Sequence, residues 1–323
     1  MTVHTLDDAL ENLHGFFSRT LPPRLHINPG DTVIYRTRNA GWNDIPPGQQ
    51  KPTGQRPEGA GHALSGPVFV ADAVPGDTLE VQIKEIVPLD WGFNAHRPSN
   101  PDARVKGLLG GEPDDVKEPY FRHLTIDWSR RTSEIQPGIT VPLHPFMGIY
   151  AVAPDADGPV PTAFPGAFGG NMDCKELVAG TTLYLPIFVP GALFSTGDGH
   201  AAQGDGEVNV TGIEAGMEKV ELQFIVRKDL TIARPCAETP THLIFLGFGD
   251  DLDTALLVAA RDAMHYLVDK RGLTWDEAYS LASIAIDFRI TQVVDGPRGV
   301  HAMLPKEIFT GEPLTFAAGR TDG

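Results

Sequence analysis

Apolar and polar residues alternate with a period of two along several stretches of the chain. In residues 218–227, Val220, Leu222, Phe224 and Val226 fall on one face, with Glu221, Gln223, Ile225 and Arg227 on the other. That is the pattern of a half-buried antiparallel strand. Leu79, Val81 and Ile83 alternate with Glu80, Gln82 and Lys84 in the same way. Further strands are expected over 68–70, 123–127, 149–153, 182–188, 207–213 and 287–294. Two similar phrases, Pro29-Gly30-Asp31-Thr32 and Pro75-Gly76-Asp77-Thr78, each set a turn before a strand. Pro presets φ there and Gly accepts a positive φ. Such units predict a β-sandwich or barrel, although the two phrases diverge too soon to form a true repeat.

A helical period emerges late. Leu252, Ala255, Leu256, Ala259 and Ala263 make one stripe behind Asp251, a good N-cap, and Gly272 ends the run. Thr274-Trp275-Asp276-Glu277 is a capping box opening a second helix to about Ala285. A helical hairpin over about 251–286 follows, then the strand at 287–294 and a turn at Asp295-Gly296-Pro297. Leu6, Leu10, Leu13 and Phe17 also have helical spacing, which leaves 6–17 ambiguous. Segments 42–61 and 94–119 read as long surface loops, either plain excursions or the rim of a site.

The 323 residues allow two domains or one large one. The division expected is a β-rich part over 1–140 and a second over 141–323 that carries the hairpin, packed as one unit. The 41% hydrophobic and 21% charged content is that of a globular chain. A net charge of −16 argues against nucleic acid and anionic lipid as partners. Cys174 and Cys236 are too few for a disulfide scaffold. No stretch approaches the roughly 20 apolar residues of a membrane span, and the first residues lack a signal-peptide pattern. A cytoplasmic location is therefore expected.

Candidate chemistry gathers in Gly197-Asp198-Gly199-His200-Ala201-Ala202-Gln203-Gly204-Asp205-Gly206-Glu207. Asp198 and His200 lie two apart, so on a strand they point the same way and could share a metal ion. The glycines let backbone fold closely around a ligand, or make plain turns. The apolar run 185–194 delivers this cluster from the interior, where polar groups are costly unless paired or ligated. A second constellation is Gly169-Gly170-Asn171-Met172-Asp173-Cys174-Lys175-Glu176-Leu177. Strand geometry would put Asn171, Asp173 and Lys175 on one face; a turn with a solvated edge is the alternative. His62, in Gly61-His62-Ala63-Leu64-Ser65-Gly66-Pro67, is a single signal, as are His14, Asp90 and Asp287.

These phrases, with Asp90-Trp91-Gly92 and Val293-Val294-Asp295-Gly296-Pro297-Arg298-Gly299-Val300-His301, resemble the acetamidase/formamidase family in order from about His14 to Pro305. The resemblance implies a mostly β (α+β) fold with sandwich or jelly-roll-like and small barrel-like parts and a C-terminal helical hairpin. It favours an extended chain over 6–17. It also implies a metal-dependent hydrolase that converts a short linear amide, of acetamide or formamide type, to acid and ammonia. The chemistry of such a site suggests Asp173, Asp198 and His200 as metal ligands, with His62 as a fourth or as support for one. Glu207 is the expected general base, with Asp205 as its alternative, and Asn171 and Gln203 would bind the substrate amide. A divalent ion is expected, zinc before calcium or manganese. A homo-oligomer, dimer or tetramer, is the base-rate assembly. Two rivals stand beside this reading. One is a non-catalytic metal-containing binding protein. The other is covalent catalysis by Cys174 with Lys175 and Glu176, or by Ser195 in Ser195-Thr196-Gly197.

Overall fold

The computed structural model describes residues 1–49, 51–96, 119–311 and 314–316. Among them, 17 strands join in one hydrogen-bonded sheet that curls into a half-barrel. Its spine is a pair of long antiparallel strands, Thr78–His96 and Glu214–Arg227, paired from Thr78↔Arg227 to Phe93↔Glu214. Register shifts near Met217 and at Glu221/Leu222 interrupt the pair. Each such shift adds twist, which is how a long ribbon curls.

The expected alternation holds where one face is covered. Val220, Leu222 and Phe224 are fully buried in the main core, while Glu221 and Gln223 are half-buried. It fails at Glu80 and Gln82, which are buried as well. Glu80 is held there by Arg227 at 3.1 Å and by the Gln82 amide at 2.7 Å.

Early and late strands interleave. Thr32–Thr37 pairs with Glu214–Arg227, Leu64–Val70 with Phe194–His200, and Thr182–Pro186 with Thr78–His96. The strands expected at 68–70, 149–153 and 182–188 are found as Leu64–Val70, Phe146–Ala151 and Thr182–Pro186. The one expected at 123–127 lies earlier, at Tyr120–Thr125, and that at 287–294 stops at Gln292. Residues 207–213 are not a strand. Glu207 and Val210 take positive φ of 43° and 81°, so the segment folds into turns and the strand begins at Glu214.

Residues 6–17 are extended, apart from one 3-10 turn at Leu10–Asn12. Strand pairing of Leu13 and His14 with Leu64–Val70 overrides the helical spacing. The described residues of 42–61, all but residue 50, form turns and bends, with Trp42 buried and its Nε1 donating to Gly61 O at 2.8 Å. Of the loop expected over 94–119, Asn94 to His96 continue a strand, and 97–118 lie outside the described residues.

The helical hairpin is Leu252–Arg271 and Trp275–Ala285. Asp251 caps the first helix through Thr254 N–H at 2.7 Å, Gly272 ends it at φ 67°, and Thr274 with Glu277 completes the capping box. Ala255, Ala259 and Ala263 set the first helix against the sheet strands His242–Gly249 and Arg298–Pro305. The approach is so close that a Cβ on Gly247 would collide with Ala255 O and lie 2.6 Å from Ala259 N. Gly247→Ala is expected to cost about 1–3 kcal/mol by overpacking. Urea unfolding checks this, and an unchanged midpoint would refute so tight a contact.

Candidate active site

The strand Phe146–Ala151 lies between Gly169–Asn171 and Phe194–His200. Phe194–His200 is buried along its whole length, so Asp198 and His200 enter the protein interior together. Phe146 stacks on the His200 ring at 5.0 Å. Just past Asn171 the chain leaves the strand, and the N–H groups of Met172 and Asp173 both donate to Gly148 O, at 3.0 and 3.2 Å. This turn sends Asp173 inward and separates it from Lys175, which faces Asp205 at 2.9 Å.

Gly148 is the point of convergence. A Cβ there would collide with Asp173 Oδ1 and stand 2.7 Å from Asp198 Oδ2 and 2.8 Å from His200 Cε1. Two overlapping sets of groups have ligand atoms within 4.8 Å of one another: Asp173, His200 and Glu207, and Asp198, His200 and Glu214. His200 Nε2 meets Glu214 Oε1 at 2.7 Å, and the same oxygen accepts from Gly212 N–H at 3.0 Å. A carboxylate behind an imidazole fixes its tautomer and leaves the other nitrogen for a metal. Here His200 Nδ1 is buried without a partner, 3.9 Å from Asp173 Oδ1. Both Asp173 oxygens, Glu207 Oε2, Glu214 Oε2 and Asp295 Oδ2 are likewise buried without a donor. Asp295 lies against Asp173 and Asn171.

Burial drives the Asp173 and Glu207 carboxyls well above the usual range, with neighbouring carboxylates adding to the effect. Burial likewise raises Glu214 and Asp295 to about 7. For His200 burial acts downward, but Glu214, Asp198 and Asp173 outweigh it and carry the imidazole to about 10. One imidazolium cannot balance Asp173, Asp198, Glu207, Glu214 and Asp295 in a dry interior, whereas a divalent cation supplies the missing charge. The mixed oxygen and nitrogen donors, the orphaned atoms and the space left by Gly148 all fit such an ion. The backbone is also strained here, with Asp173, Asp198 and Glu207 at φ 48°, 58° and 43°. Left-handed non-glycine residues cost about 1–3 kcal/mol each and persist where function fixes them.

A sequence model of the Acetamidase/Formamidase family matches residues 3–160 and 159–311. The chain belongs to the acetamidase/formamidase family. It is 27% identical over 318 residues to a formamidase of Methylophilus methylotrophus, covering 77% of each sequence. The crystal structure of an acetamidase from Bacillus halodurans superposes with a TM-score of 0.84 at 28% identity, covering 94% of this chain and 98% of that one. An acetamidase from Yersinia enterocolitica gives a TM-score of 0.83 at 27% identity, covering 95% and 92%. Family membership and the buried His/Asp/Glu cluster together support a metal-dependent amidohydrolase.

The cluster unites Asp173, Asp198, His200 and Glu207. Asn171 is buried beside Asp295 with Oδ1 unpaired. Gln203 donates to Asp173 O at 2.9 Å and keeps a buried, unpaired Oε1. His62 is not brought in; its backbone N–H and Nδ1 both meet Thr162 Oγ1, at 2.8 and 3.0 Å. Asp205 stays outside as well, paired with Lys175.

Nothing in the surroundings of Cys174 activates it as a nucleophile. It is fully buried, and burial pushes its thiol far up. Lys175 and Glu176 engage Asp205 and Arg289 instead of the thiol. Ser195 is buried with Oγ 2.8 Å from His14 Nε2, a strand-locking contact that joins no part of the cluster. Asp90 and Asp287 are exposed.

Glu214 and Asp295 complete the cluster without having been foreseen. The signal for Asp295 was its place in the Asp295-Gly296-Pro297 phrase; Glu214 had none. Gly148→Ala should weaken divalent-ion binding by at least ~10-fold while the circular dichroism stays native. Metal content after dialysis decides it; full retention of the ion would place its seat elsewhere.

Proposed function

We propose that this protein hydrolyses a short aliphatic carboxamide to a carboxylic acid and ammonia, at a divalent ion held by Asp173, Asp198 and His200. The observation that carries the reading is the convergence of these three groups on the space left by Gly148, with both Asp173 oxygens and His200 Nδ1 unpaired. An imidazole nitrogen among carboxylate oxygens favours zinc, with manganese and calcium as alternatives. Bound there, the ion supplies Lewis acidity toward the amide carbonyl and toward water.

The chain's own groups do the rest. Asn171 Oδ1 and Gln203 Oε1 are buried acceptors awaiting donors, and a carboxamide NH2 brings two. Together they orient the leaving nitrogen. Glu207 takes a proton from the attacking water through its unpaired Oε2 and hands it to that nitrogen. The water oxygen bonds to the carbonyl carbon, the C–N bond breaks, and ammonia leaves. Glu214 holds the His200 ring in place.

We read the enzyme as cytoplasmic, supported by two unpaired buried cysteines. We read it also as a homo-oligomer, supported by Trp275, Tyr279 and Ile284 exposed on the hairpin. No helix among the described residues is long and apolar enough to cross a membrane.

Ammonia release from acetamide, by protein stripped of metal and then reloaded with zinc, manganese or calcium, tests the reading. Glu207→Gln should lose about 100-fold or more in kcat while keeping its metal. Near-normal turnover by that variant would remove Glu207 from the base role. Bound metal without turnover of any amide would favour the binding-protein alternative.

A further inference from the structure

A cavity of about 680 Å3 opens beside the cluster without including any of its carboxylates. Two of its wall residues touch the cluster directly. Gln203 bonds the Asp173 carbonyl, and Gly212 N–H bonds Glu214. The wall is thin at Gly212, where a Cβ would lie 2.9 Å from His200 Cδ2. An acetamide-sized ligand would fill only a small part of this space, which lies in the range that holds much larger molecules.

The strand Tyr120–Thr125 forms one side of the cavity. Its period of two puts Tyr120, Arg122 and Leu124 on the cavity face. Phe121 and His123 turn the other way, stacking on Phe93 at 5.0 Å and against Trp91 at 5.9 Å. Leu124, Ile135, Val141, Val178 and Ile213 make an apolar lining. Two charges in the wall are already engaged: Lys175 by Asp205 at 2.9 Å and Glu176 by Arg289 at 3.1 Å. The half-buried Arg122 has no carboxylate partner among the described residues, in a chain whose net charge is −16. A guanidinium beside apolar walls is suited to a carboxylate, which it can meet with two parallel hydrogen bonds.

We propose that this cavity seats the acyl chain of the substrate, and that the preferred substrate is a carboxamide whose acyl chain ends in a carboxylate met by Arg122. The apolar lining takes the methylene stem, and the amide end reaches the cluster past Gln203 and Gly212. This narrows the substrate class of the hydrolase reading and rests on it.

The test compares glutaramate with glutaramide, which has the same shape without the charge. Binding is measured by calorimetry and ammonia release by kcat/KM, on metal-loaded wild type, Arg122→Gln and Arg122→Lys, each checked by circular dichroism. Wild type should prefer glutaramate by at least ~10-fold in both readouts, about the discrimination one charge-assisted contact supplies. Arg122→Gln should abolish the preference, and Arg122→Lys should restore part of it. Equal handling of the two ligands by wild type, or a preference that survives Arg122→Gln, overturns the proposal. Acetamide serves as a separate control. Ammonia from acetamide without a charge preference sinks the substrate class alone. A charge preference in binding with no ammonia from any amide sinks the hydrolase reading and leaves the ligand class standing.

Discussion

The structure depends on one electrostatic constraint: carboxyl groups crowd around a single imidazole where water is excluded. Asp173, Asp198, Glu207 and Glu214 each sit at 6% exposure or less, and His200 at 1%. Such an arrangement survives folding only if protons or a cation neutralise it. The surrounding sheet imposes it. Buried strands fix Asp198, His200 and Glu214, and Gly148 holds the approach open. Ion, fold and chemistry are therefore coupled, since the groups least compatible with a dry interior are the ones that would do the work.

The cavity next to the cluster has a different character. Its lining is largely apolar and its charged groups are mostly basic, whereas the cluster is acidic. The division separates tasks that would interfere if mixed. Free cations close to the ion seat would weaken it, and free carboxylates in the cavity would repel an anionic chain. Gln203 and Gly212 stand at the border, each tied by one hydrogen bond to the cluster's own residues.

Local features were legible in the sequence. The Thr274 capping box and the Asp251 cap depend on neighbours three residues apart, and both formed as expected. Asp198 and His200 were legible as a pair because a strand returns to the same face every second residue. Properties set by distant partners were not. Leu6 to Phe17 has helical spacing, yet pairing with Leu64–Val70 makes it extended. Asp173 and Lys175 were expected to share a face, but the turn onto Gly148 O parted them. His62 and Asp205 sit in the same phrases as true cluster members, and nothing local says which polar side chains turn inward. Gly148 leaves no mark at all in a pattern of side chains, since its contribution is the side chain it lacks.

The interleaving of early and late strands has a consequence for how the chain is made. Thr32–Thr37 and Leu64–Val70 emerge from the ribosome long before Glu214–Arg227 and Phe194–His200, the strands that will cover them. Early strands can take one edge of each, but the edge meant for the late strand must wait unpaired, in the conformation most prone to join a neighbouring chain. Sheets closed by such distant contacts also form slowly. Synthesis of this protein therefore carries a period of exposure that only the second half of translation ends, and crowding on a polysome is where its losses would concentrate.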